Sequence, residues 1–415
     1  MNNEWKSIKL GDICSIKGGK RLPKGSSLTT DKTKHPYIRI RDMYQHKYIE
    51  NNGELEFVDE DTFKTISNYI VNSGDVIIAI VGNTIGLVSL IGKSLDNASL
   101  TENCVKLINL DGCLSEYIYY YLNSEKGQNQ IKSKIVGTSQ PKLPIYGVKD
   151  IEIALPKLDE QKKIIDILSS LDKKIEINNK INKKLEEMAQ AIFKQWFVDF
   201  EFPNEDGKPY KSSGGEMVES ELGMIPKYWK NKELKEVIKF TKGKKPKIIT
   251  DKEFDNSELY LTIDVLNRNS IQYAINDKVI LANKKDILMV MDGASSGSLY
   301  YGLDGIVGST LSKLVINDEY INDDILYYFL KLNEFNIKGH LTGSAIPHTD
   351  KEYVNRLIMC IPNDKELLVR VTKILSDIRE KVIINNEENS RLIKLRDILL
   401  PKFMSGEIRV PLGHE

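Results

Sequence analysis

Residues 159–197 read DEQKKIIDILSSLDKKIEINNKINKKLEEMAQAIFKQWF and contain neither glycine nor proline. Apolar residues recur here at steps of four and three, which predicts one long helix with coiled-coil spacing. The proline of Leu155-Pro156 ends the preceding strand, and Asp159 is expected to cap the helix. The seam of this helix comprises Ile164, Leu168, Leu171, Ile175, Asn178, Asn182, Leu185, Ala189, Ile192 and Trp196.

The same spacing returns late in the chain, where residues 365–400 predict a second long helix that ends before Pro401. Each seam carries two asparagines at its centre. Antiparallel pairing would place Asn178 against Asn389 and Asn182 against Asn385, which predicts that these four residues set the register of a pseudo-twofold helix pair. The alternative is that each helix lies on its own domain with its asparagines at a solvent edge. The second seam comprises Val371, Leu375, Ile378, Val382, Asn385, Asn389, Leu392, Arg396, Leu399 and Phe403.

The apolar stripe of the first helix is wider than one seam requires. A further helical partner could therefore cover part of it. The additional apolar positions are Ile165, Ile177, Ile181, Met188 and Phe193.

The segments before the two helices are also duplicated. Residues 75–86 return as residues 286–297, with the apolar and glycine positions kept. The sequence therefore predicts an α+β chain in which two similar mixed α/β domains are separated by a pair of long antiparallel coiled-coil helices with pseudo-twofold symmetry. The expected segments are a first domain (1–157), a first helix (158–200), a linker (201–226), a second domain (227–363), a second helix (364–404) and a tail (405–415).

Composition excludes several classes of protein. With 415 residues, 41% hydrophobic and 28% charged, the chain is expected to be soluble and to bury two or three cores. It has no apolar run long enough for a membrane span and no signal peptide at its start. Four scattered cysteines fit a reducing cytoplasm rather than a disulfide framework or a metal site. Basic and acidic residues balance at 59 each, so net charge neither supports nor forbids DNA binding.

The sequence predicts no catalytic residue, no cofactor and no metal site. An amino-methyltransferase needs a Pro-Pro pair after Asn or Asp, and the chain contains no Pro-Pro. Gly86 to Ser94 resembles a phosphate-binding loop, but five residues separate Gly86 from Gly92 where such a loop has four. The five histidines lie far apart and lack the spacing of metal ligands.

Three motifs carry a resemblance that spans essentially the whole chain. Residues 5–12 (WKSIKLGD), 155–168 (LPKLDEQKKIIDIL) and 221–229 (ELGMIPKYW) resemble the DNA-specificity subunit of type I restriction-modification systems. The resemblance implies two target-recognition domains that read the two parts of a double-stranded DNA site and are held apart by two long helices. It also implies two methyltransferase subunits that use S-adenosylmethionine, and an ATP-driven restriction subunit.

Two other interpretations remain open. The chain could be the recognition half of a type II-like restriction-modification enzyme whose catalytic part lies in another chain. It could also be a coiled-coil interaction protein that never contacts DNA.

A basic turn follows the first strand of each domain and is a candidate for phosphate contacts. Glycine would let the backbone approach phosphate while the basic side chains neutralise it, although such turns are often only solvated. The candidate residues are Lys17, Lys20, Arg21 and Lys24 in the first domain, and Lys242, Lys244 and Lys245 in the second.

Base readout is expected where the two domains differ on a shared framework. Residues 36–41 alternate like a half-buried strand, and arginines on its exposed face would correspond to Thr262 and Asp264 in the second domain. Further candidates lie in two loops that each run from a glycine to a proline, at residues 137–142 and 343–348. The alternative is an ordinary exposed face or, for these glycine-to-proline loops, a tight structural turn. The candidates in the first domain are Arg39, Arg41, Asn83, Thr84, Thr138, Ser139, Gln140 and Lys142; those in the second are Thr262, Asp264, Ser295, Ser344 and His348.

Overall fold

The computed structural model describes residues 5–44, 47–275, 277–343 and 345–411. The chain forms two compact units. Unit 1 comprises residues 1–175 with 391–415, and unit 2 comprises residues 176–390. Each unit contains one mixed domain and a segment of each long helix.

Unit 1 is built on a five-stranded sheet of order β2-β10-β7-β8-β4 and a four-stranded sheet of order β5-β3-β9-β6, while β1 pairs with β11. Its strands are β1 (Lys6–Lys9), β2 (Ser15–Gly18), β3 (Pro36–Ile38), β4 (Tyr48–Ile49), β5 (Glu56–Phe57), β6 (Ile70–Val71), β7 (Val76–Ala79), β8 (Val88–Ile91), β9 (Ala98–Leu100), β10 (Cys104–Ile108) and β11 (Glu152–Leu155). Its short helices are α1 (Leu10–Ile13), α2 (Glu60–Ile66), α3 (Ser115–Asn123), α4 (Glu125–Ser133) and α5 (Ile145–Lys149), with 3-10 turns at Ile40–Met43 and Gly82–Thr84.

The first long helix, α6, runs from Leu158 to Phe197. The prediction of one uninterrupted helix is therefore confirmed. The prediction that Asp159 caps it is wrong, because the helix begins one residue earlier and Asp159 lies in its first turn. A carboxylate there still interacts favourably with the partial positive charge of the helix start.

Unit 2 repeats this plan with a four-stranded sheet of order β15-β23-β20-β21 and a five-stranded sheet of order β16-β18-β17-β22-β19. Its strands are β12 (Met217–Ser220), β13 (Gly223–Pro226), β14 (Trp229–Glu233), β15 (Ile238–Lys242), β16 (Ile249–Thr250), β17 (Ser257–Leu261), β18 (Tyr273–Ile275), β19 (Leu281–Ala282), β20 (Ile287–Val290), β21 (Leu299–Tyr300), β22 (Gly305–Val307), β23 (Leu311–Ile316) and β24 (Ile358–Pro362). Its short helices are α7 (Leu234–Val237), α8 (Ile263–Leu266), α9 (Asp323–Gly339) and α10 (Lys351–Asn355).

The duplication predicted from the sequence extends to strand pairing. The β2, β10 and β7 strands pair antiparallel in unit 1, as β15, β23 and β20 do in unit 2. The turn before the central strand is also repeated: the Asp75 carboxylate accepts from the Asn72 amide at 2.9 Å, and the Asp286 carboxylate accepts from the Asn283 amide at 2.7 Å. The same local chemistry therefore starts the buried central strand twice.

The second long helix, α11, runs from Lys365 to Ser405. The Asp364 carboxylate caps its start by accepting from the amides of Glu366 (2.8 Å) and Leu367 (3.3 Å). The prediction that this helix ends before Pro401 is wrong, since the proline lies inside it. A proline removes one backbone hydrogen bond but does not end a helix whose apolar face is held by packing. Phe403 and Met404, just beyond the proline, are fully packed in the core of unit 1.

Within each unit, α6 and α11 share a hydrophobic core. Ile164 and Leu168 pack in the same cluster as Phe403 and Met404 in unit 1. In unit 2, Ala189, Phe193 and Trp196 share a cluster with Val371 and Leu375. These sets match the antiparallel register predicted from the two seams.

Residues 201–226 were predicted to be a linker or surface loop, and this is wrong in part. β12 and β13 form a hairpin at the end of the segment. At its start, the Phe202 ring stacks on Tyr210 (centroids 4.6 Å apart) and on Trp229 (5.1 Å). Aromatic packing therefore fixes this polar segment to unit 2.

The C-terminal tail packs on unit 1. The Arg409 guanidinium donates to both carboxylate oxygens of Glu160, at 2.6 and 2.9 Å, and lies over the Trp5 ring. Trp5 Nε1 donates to the same Glu160 carboxylate at 3.2 Å. The described part of the chain contains no helix that is both long and apolar enough to cross a membrane.

Candidate nucleic-acid interface

In unit 1, strand register brings two candidate turns to the same end of the main sheet. Gly18, the last residue of β2, pairs with Val105, and Cys104 pairs with Ala79 at the end of β7. The basic turn after β2 and the Gly82–Thr84 turn after β7 therefore both leave the sheet at this end. We call it the loop end of unit 1.

The loop at residues 137–142 joins the same end. Val81 forms a bridge with Lys142, and the Gly82 amide donates to the Pro141 carbonyl at 3.3 Å. The candidate side chains Asn83, Thr138, Ser139, Gln140 and Lys142 are all exposed there. Thr84 is less available, because its hydroxyl donates to the Val81 carbonyl at 3.0 Å.

The turn after β2 presents Lys20, Arg21 and Lys24 as exposed side chains, whereas Lys17, predicted to lie in this turn, is exposed on β2 itself. Two of them have contacts within the domain: Arg21 Nε donates to the Glu102 carboxylate at 2.7 Å, and Lys20 Nζ lies 5.4 Å from the centre of the Tyr69 ring. Neither contact buries the charge, since the Arg21 side chain is 82% exposed.

The glycines in these turns have a role in the fold, while their approach to phosphate stays a prediction. A Cβ atom on Gly19 would lie 2.0 Å from the Thr101 carbonyl oxygen, and one on Gly243 would lie 2.2 Å from the Gly308 carbonyl oxygen. Glycine is therefore required for a close approach of the backbone to the end of the protein's own neighbouring strand.

The placement predicted for Arg39 and Arg41 is wrong. β3 ends at Ile38, Arg39 is the N-cap residue of the 3-10 turn that follows, and Arg41 lies within that turn. The Glu56 carboxylate pairs with Arg39 Nη2 at 2.5 Å and with Arg41 Nη2 at 3.3 Å. The Arg41 side chain is 52% exposed and that of Arg39 is 29% exposed, so Arg41 is the better placed of the two for a DNA contact.

In unit 2, the corresponding sheet end is built in the same way. Lys242 pairs with Ser312 and Val290 pairs with Leu311, so the turns after β15 and β20 leave the sheet together. The Gly293 amide donates to the Pro347 carbonyl at 2.9 Å, which brings the glycine-to-proline loop to the same end of the sheet. Lys244 and Lys245 are exposed at this loop end of unit 2, and Ser295 is half-buried.

Thr262 and Asp264 do not extend a strand, which corrects the prediction for the second domain. β17 ends at Leu261, and the Thr262 hydroxyl caps α8 by accepting from the Val265 amide at 3.4 Å. Asp264 is exposed in the first turn of that helix. Ser344 lies outside the described residues.

Asp292, in the turn after β20, contacts Lys242 at the end of β15 and His348 in the glycine-to-proline loop. The sequence analysis did not identify Asp292. Its carboxylate lies 2.8 Å from His348 Nδ1 and 3.0 Å from Lys242 Nζ. Burial opposes ionisation of this carboxyl group, but the hydrogen bonds from His348 and Lys242 outweigh that effect and lower the pKa of Asp292. No local pattern could have revealed this cluster, since its members lie 50 and 56 residues apart.

Tyr146 was also missed. It follows the 137–142 loop at the start of α5, and its neighbour Ile145 would contact a Cβ atom on Gly18 at 3.8 Å. The Tyr146 side chain is 64% exposed. Exposed aromatic side chains can stack on bases, but exposure is not visible in a sequence.

The contacts expected between the central asparagines are present in unit 2. Asn178 Nδ2 donates to Asn389 Oδ1 at 2.9 Å, and Asn385 Nδ2 donates to Asn182 Oδ1 at 2.7 Å. All four side chains are buried. The alternative of asparagines at a solvent edge is therefore wrong, while their role in setting the register stays a prediction.

Part of the wide apolar stripe remains uncovered. Ile177, Ile181, Met188 and Ile384 are each at least 40% exposed on the helix pair of unit 2. The other two extra positions, Ile165 and Phe193, are buried in the cores of their units. Among the described residues, no group of three histidine, cysteine or acidic side chains is placed to hold a metal ion.

The model of a protein family described as the type I restriction modification DNA specificity domain matches residues 2–187 and 226–394. The chain belongs to this family. The two matched segments coincide with the two halves of the duplication, each including a domain and most of its following helix.

Known members are similar along their whole length. The MjaIX specificity subunit of a type I restriction enzyme from Methanocaldococcus jannaschii is 27% identical, over 98% of this chain and 94% of its own. The HindI specificity subunit from Haemophilus influenzae is 23% identical, over 98% of this chain and all of its own. A crystal structure of the S subunit of a type I restriction-modification system from M. genitalium shares the fold, with a TM-score of 0.60, 19% identity and 97% coverage of both chains.

Proposed function

We propose that this member of the specificity family reads a bipartite double-stranded DNA site, with the loop end of each unit contacting one half-site. The observation that carries the proposal is that the two units build the same loop end from different side chains. In unit 1 the bridged pair is Val81 and Lys142, and in unit 2 it is Asp292 and His348. A shared framework with different exposed groups is suited to reading two unequal sequences.

Charge supports this proposal locally although the chain as a whole is neutral. The turn after β2 presents Lys20, Arg21 and Lys24 next to Lys17 on β2, and the turn after β15 presents Lys244 and Lys245 next to Lys242, the last residue of β15. Phosphate contacts require positive charge only on the face that meets the duplex. We assign these turns to positioning on the backbone and the neighbouring loops to base readout.

We further propose that the chain has no catalytic activity of its own and acts in the cytoplasm as part of a type I complex. The methyl transfer would be carried out by two methyltransferase subunits that bind S-adenosylmethionine, and cleavage by an ATP-dependent restriction subunit. The names of its full-length relatives support this assignment, since each is the specificity subunit of a restriction enzyme.

The exposed apolar positions of the long helices are candidates for docking the methyltransferase subunits. Unit 2 presents Ile177, Ile181 and Met188, and unit 1 presents Leu395 and Ile398. Exposed apolar side chains on a helix with polar neighbours are typical of a helix-in-groove or helix-bundle interface. One such set of exposed apolar residues lies in each unit, which fits two copies of one partner.

The experiment has two parts. The chain is expressed in its host with an affinity tag, and the host genome is sequenced for methylated bases with and without the gene. We expect a methyltransferase to co-purify, and methylation at one bipartite motif to disappear when the gene is deleted. Unchanged methylation, together with no preference of the purified complex among duplexes, would reject the proposal.

The two alternatives give different results. Co-purification with a chain that carries both methyltransferase and nuclease activities would favour a type II-like arrangement. A protein partner without DNA retention at low salt would favour a coiled-coil interaction protein.

A further inference from the structure

The Asp292 and His348 pair at the loop end of unit 2 defines how the histidine can contact a ligand. The His348 ring is held through Nδ1, which lies 2.8 Å from Asp292 Oδ1. An ionised carboxylate has only acceptors, so Nδ1 must carry the hydrogen. In a neutral imidazole the other nitrogen, Nε2, is then an acceptor.

The surroundings leave Nε2 as the atom available to a ligand. The side chain is 47% exposed, and its backbone is fixed by bridges to Asp292 and Thr342. Within the described residues, Nε2 has no hydrogen-bond partner. Gly343 packs near the ring, where a Cβ atom would lie 2.9 Å from Cδ2.

The charged groups around the ring are few. Asp292 Oδ1 contacts the ring directly, and Lys242 Nζ donates to Asp292 Oδ2, the other carboxylate oxygen, at 3.0 Å. Asp350 is engaged in capping α10, where it accepts from the amides of Glu352 and Tyr353. Lys351 lies over the Phe240 ring. Lys242 and His348 therefore occupy the two oxygens of the Asp292 carboxylate, and the ring is held through Nδ1 alone.

We propose that Asp292 is a positioning residue that orients His348 for base readout, and that Nε2 accepts a hydrogen bond from an exocyclic amino group of one base in the half-site read by unit 2. This inference rests on the proposed DNA-binding function. Adenine N6 and cytosine N4 offer such donors in the major groove, and guanine N2 offers one in the minor groove. Thymine offers no amino group, so His348 discriminates against it at that position.

The test uses the full-length chain with its methyltransferase partner and duplexes carrying the motif found by genome methylation mapping. One at a time, each base of the unit 2 half-site is replaced by an analogue without its exocyclic amino group, such as purine for adenine. We expect one replacement to weaken binding roughly 3- to 10-fold, the range for one net hydrogen bond. His348→Ala should weaken binding to the unmodified duplex by a similar factor and show no further loss with that analogue.

Variants separate base readout from a structural role. His348→Gln keeps an acceptor oxygen and should retain most of the discrimination, whereas Asp292→Ala should lose it while the histidine remains. Lys142→Ala, at the matching position of unit 1, should leave the response to these analogues unchanged.

Several results would overturn the inference. These are analogues without effect at every position of the half-site, equal losses for His348→Ala on the motif and on random duplex, or additive losses for His348→Ala and every analogue. Failure of the proposed function is distinguishable, because the natural complex would then show no preference for the motif at all. His348→Ala and His348→Gln change an exposed side chain, so they carry the test even where Asp292→Ala lowers the melting temperature.

Discussion

Asn178 Nδ2 donates a hydrogen bond to Asn389 Oδ1 at 2.9 Å, joining two helices 211 residues apart in the chain. The contact belongs to a wider network, since Asn178 also donates to the Glu388 carboxylate, and Asn389 donates to Asn179 Oδ1. Asn182 donates in turn to Asn386 Oδ1 at 2.9 Å. Polar groups buried in a seam pair well in one register only, because a shifted register would leave amides unpaired.

Replacing one asparagine should therefore lower the stability of the fold more than replacing all four. We expect Asn178→Leu to destabilise the chain by about 1 to 3 kcal/mol, because Asn389 is left buried with fewer partners. Replacing Asn178, Asn182, Asn385 and Asn389 together with leucine should raise the melting temperature, since the four buried amides are removed and the partners they leave, Asn179, Asn386 and Glu388, are exposed or half-buried. Thermal unfolding of both variants beside Lys183→Leu, at an exposed helical position, checks this.

The quadruple variant should also discriminate less between DNA sites whose spacers differ by one base pair. A slip by one helical turn moves a helix by about 5.4 Å, whereas adjacent base pairs are about 3.4 Å apart. The measurement is competition binding among sites of graded spacer length. Unaltered spacer preference in a stabilised variant would mean that another feature sets the register.

The basic turn of unit 1 should contribute to affinity without contributing to specificity. We expect Lys20→Ala with Arg21→Ala to weaken binding to cognate and random duplexes equally. If both side chains contact phosphates, the slope of log K against log salt should fall by about 1.8. Lys6→Ala with Lys149→Ala is the matched control, because Lys6 lies on β1 and Lys149 contacts Gly11 in α1 rather than the turn after β2. A loss confined to the cognate site would contradict this assignment.

The arginines after β3 should contribute to specificity for the cognate site without contributing to affinity for random duplex. Arg41→Ala or Arg39→Ala should cost about 1 to 3 kcal/mol on the cognate site and nothing on random duplex. Because Glu56 pairs with both guanidinium groups, Glu56→Gln should free them and tighten binding to random duplex. Isothermal titration with both duplexes tests the three variants, and equal losses on the two duplexes would remove these arginines from base readout.

The cysteine thiols should be slow to react in the folded chain. Burial raises the pKa of Cys14 to about 11 and the pKa values of Cys104, Cys113 and Cys360 to about 12. A raised pKa leaves little thiolate at pH 8, and the thiolate is the reactive form. We expect maleimide labelling at pH 8 to begin at the partly exposed Cys14 and to reach the other three only in denaturant. Rapid labelling of all four in buffer would contradict the described packing.

The purified chain alone should bind no S-adenosylmethionine and transfer no methyl group, because the sequence lacks the Pro-Pro motif that holds a target base. Radiolabelled methyl transfer to host DNA is the measurement, with the reconstituted complex as the positive control. Turnover by the chain alone would reject its assignment as a subunit without catalysis.

The long helices, their seams and the pairing of the asparagines were predictable from the sequence, because helical periodicity is local and the duplication showed which positions correspond. The central strand Val76–Ala79 was predictable for the same reason, as an apolar run between turn residues. Side-chain spacing alone was enough for these elements.

Tertiary structure alone decided how the loop ends are built. Residues 36–41 alternate like a strand, yet β3 ends at Ile38, where the Ile38 carbonyl accepts from the Thr101 amide and the chain turns. Gly19 is required by a strand 82 residues away in the chain, and the Asp292 cluster joins three separate segments. Periodicity reports which face of an element is apolar, but it carries no information about which distant backbone or charged group will meet that face when the chain folds.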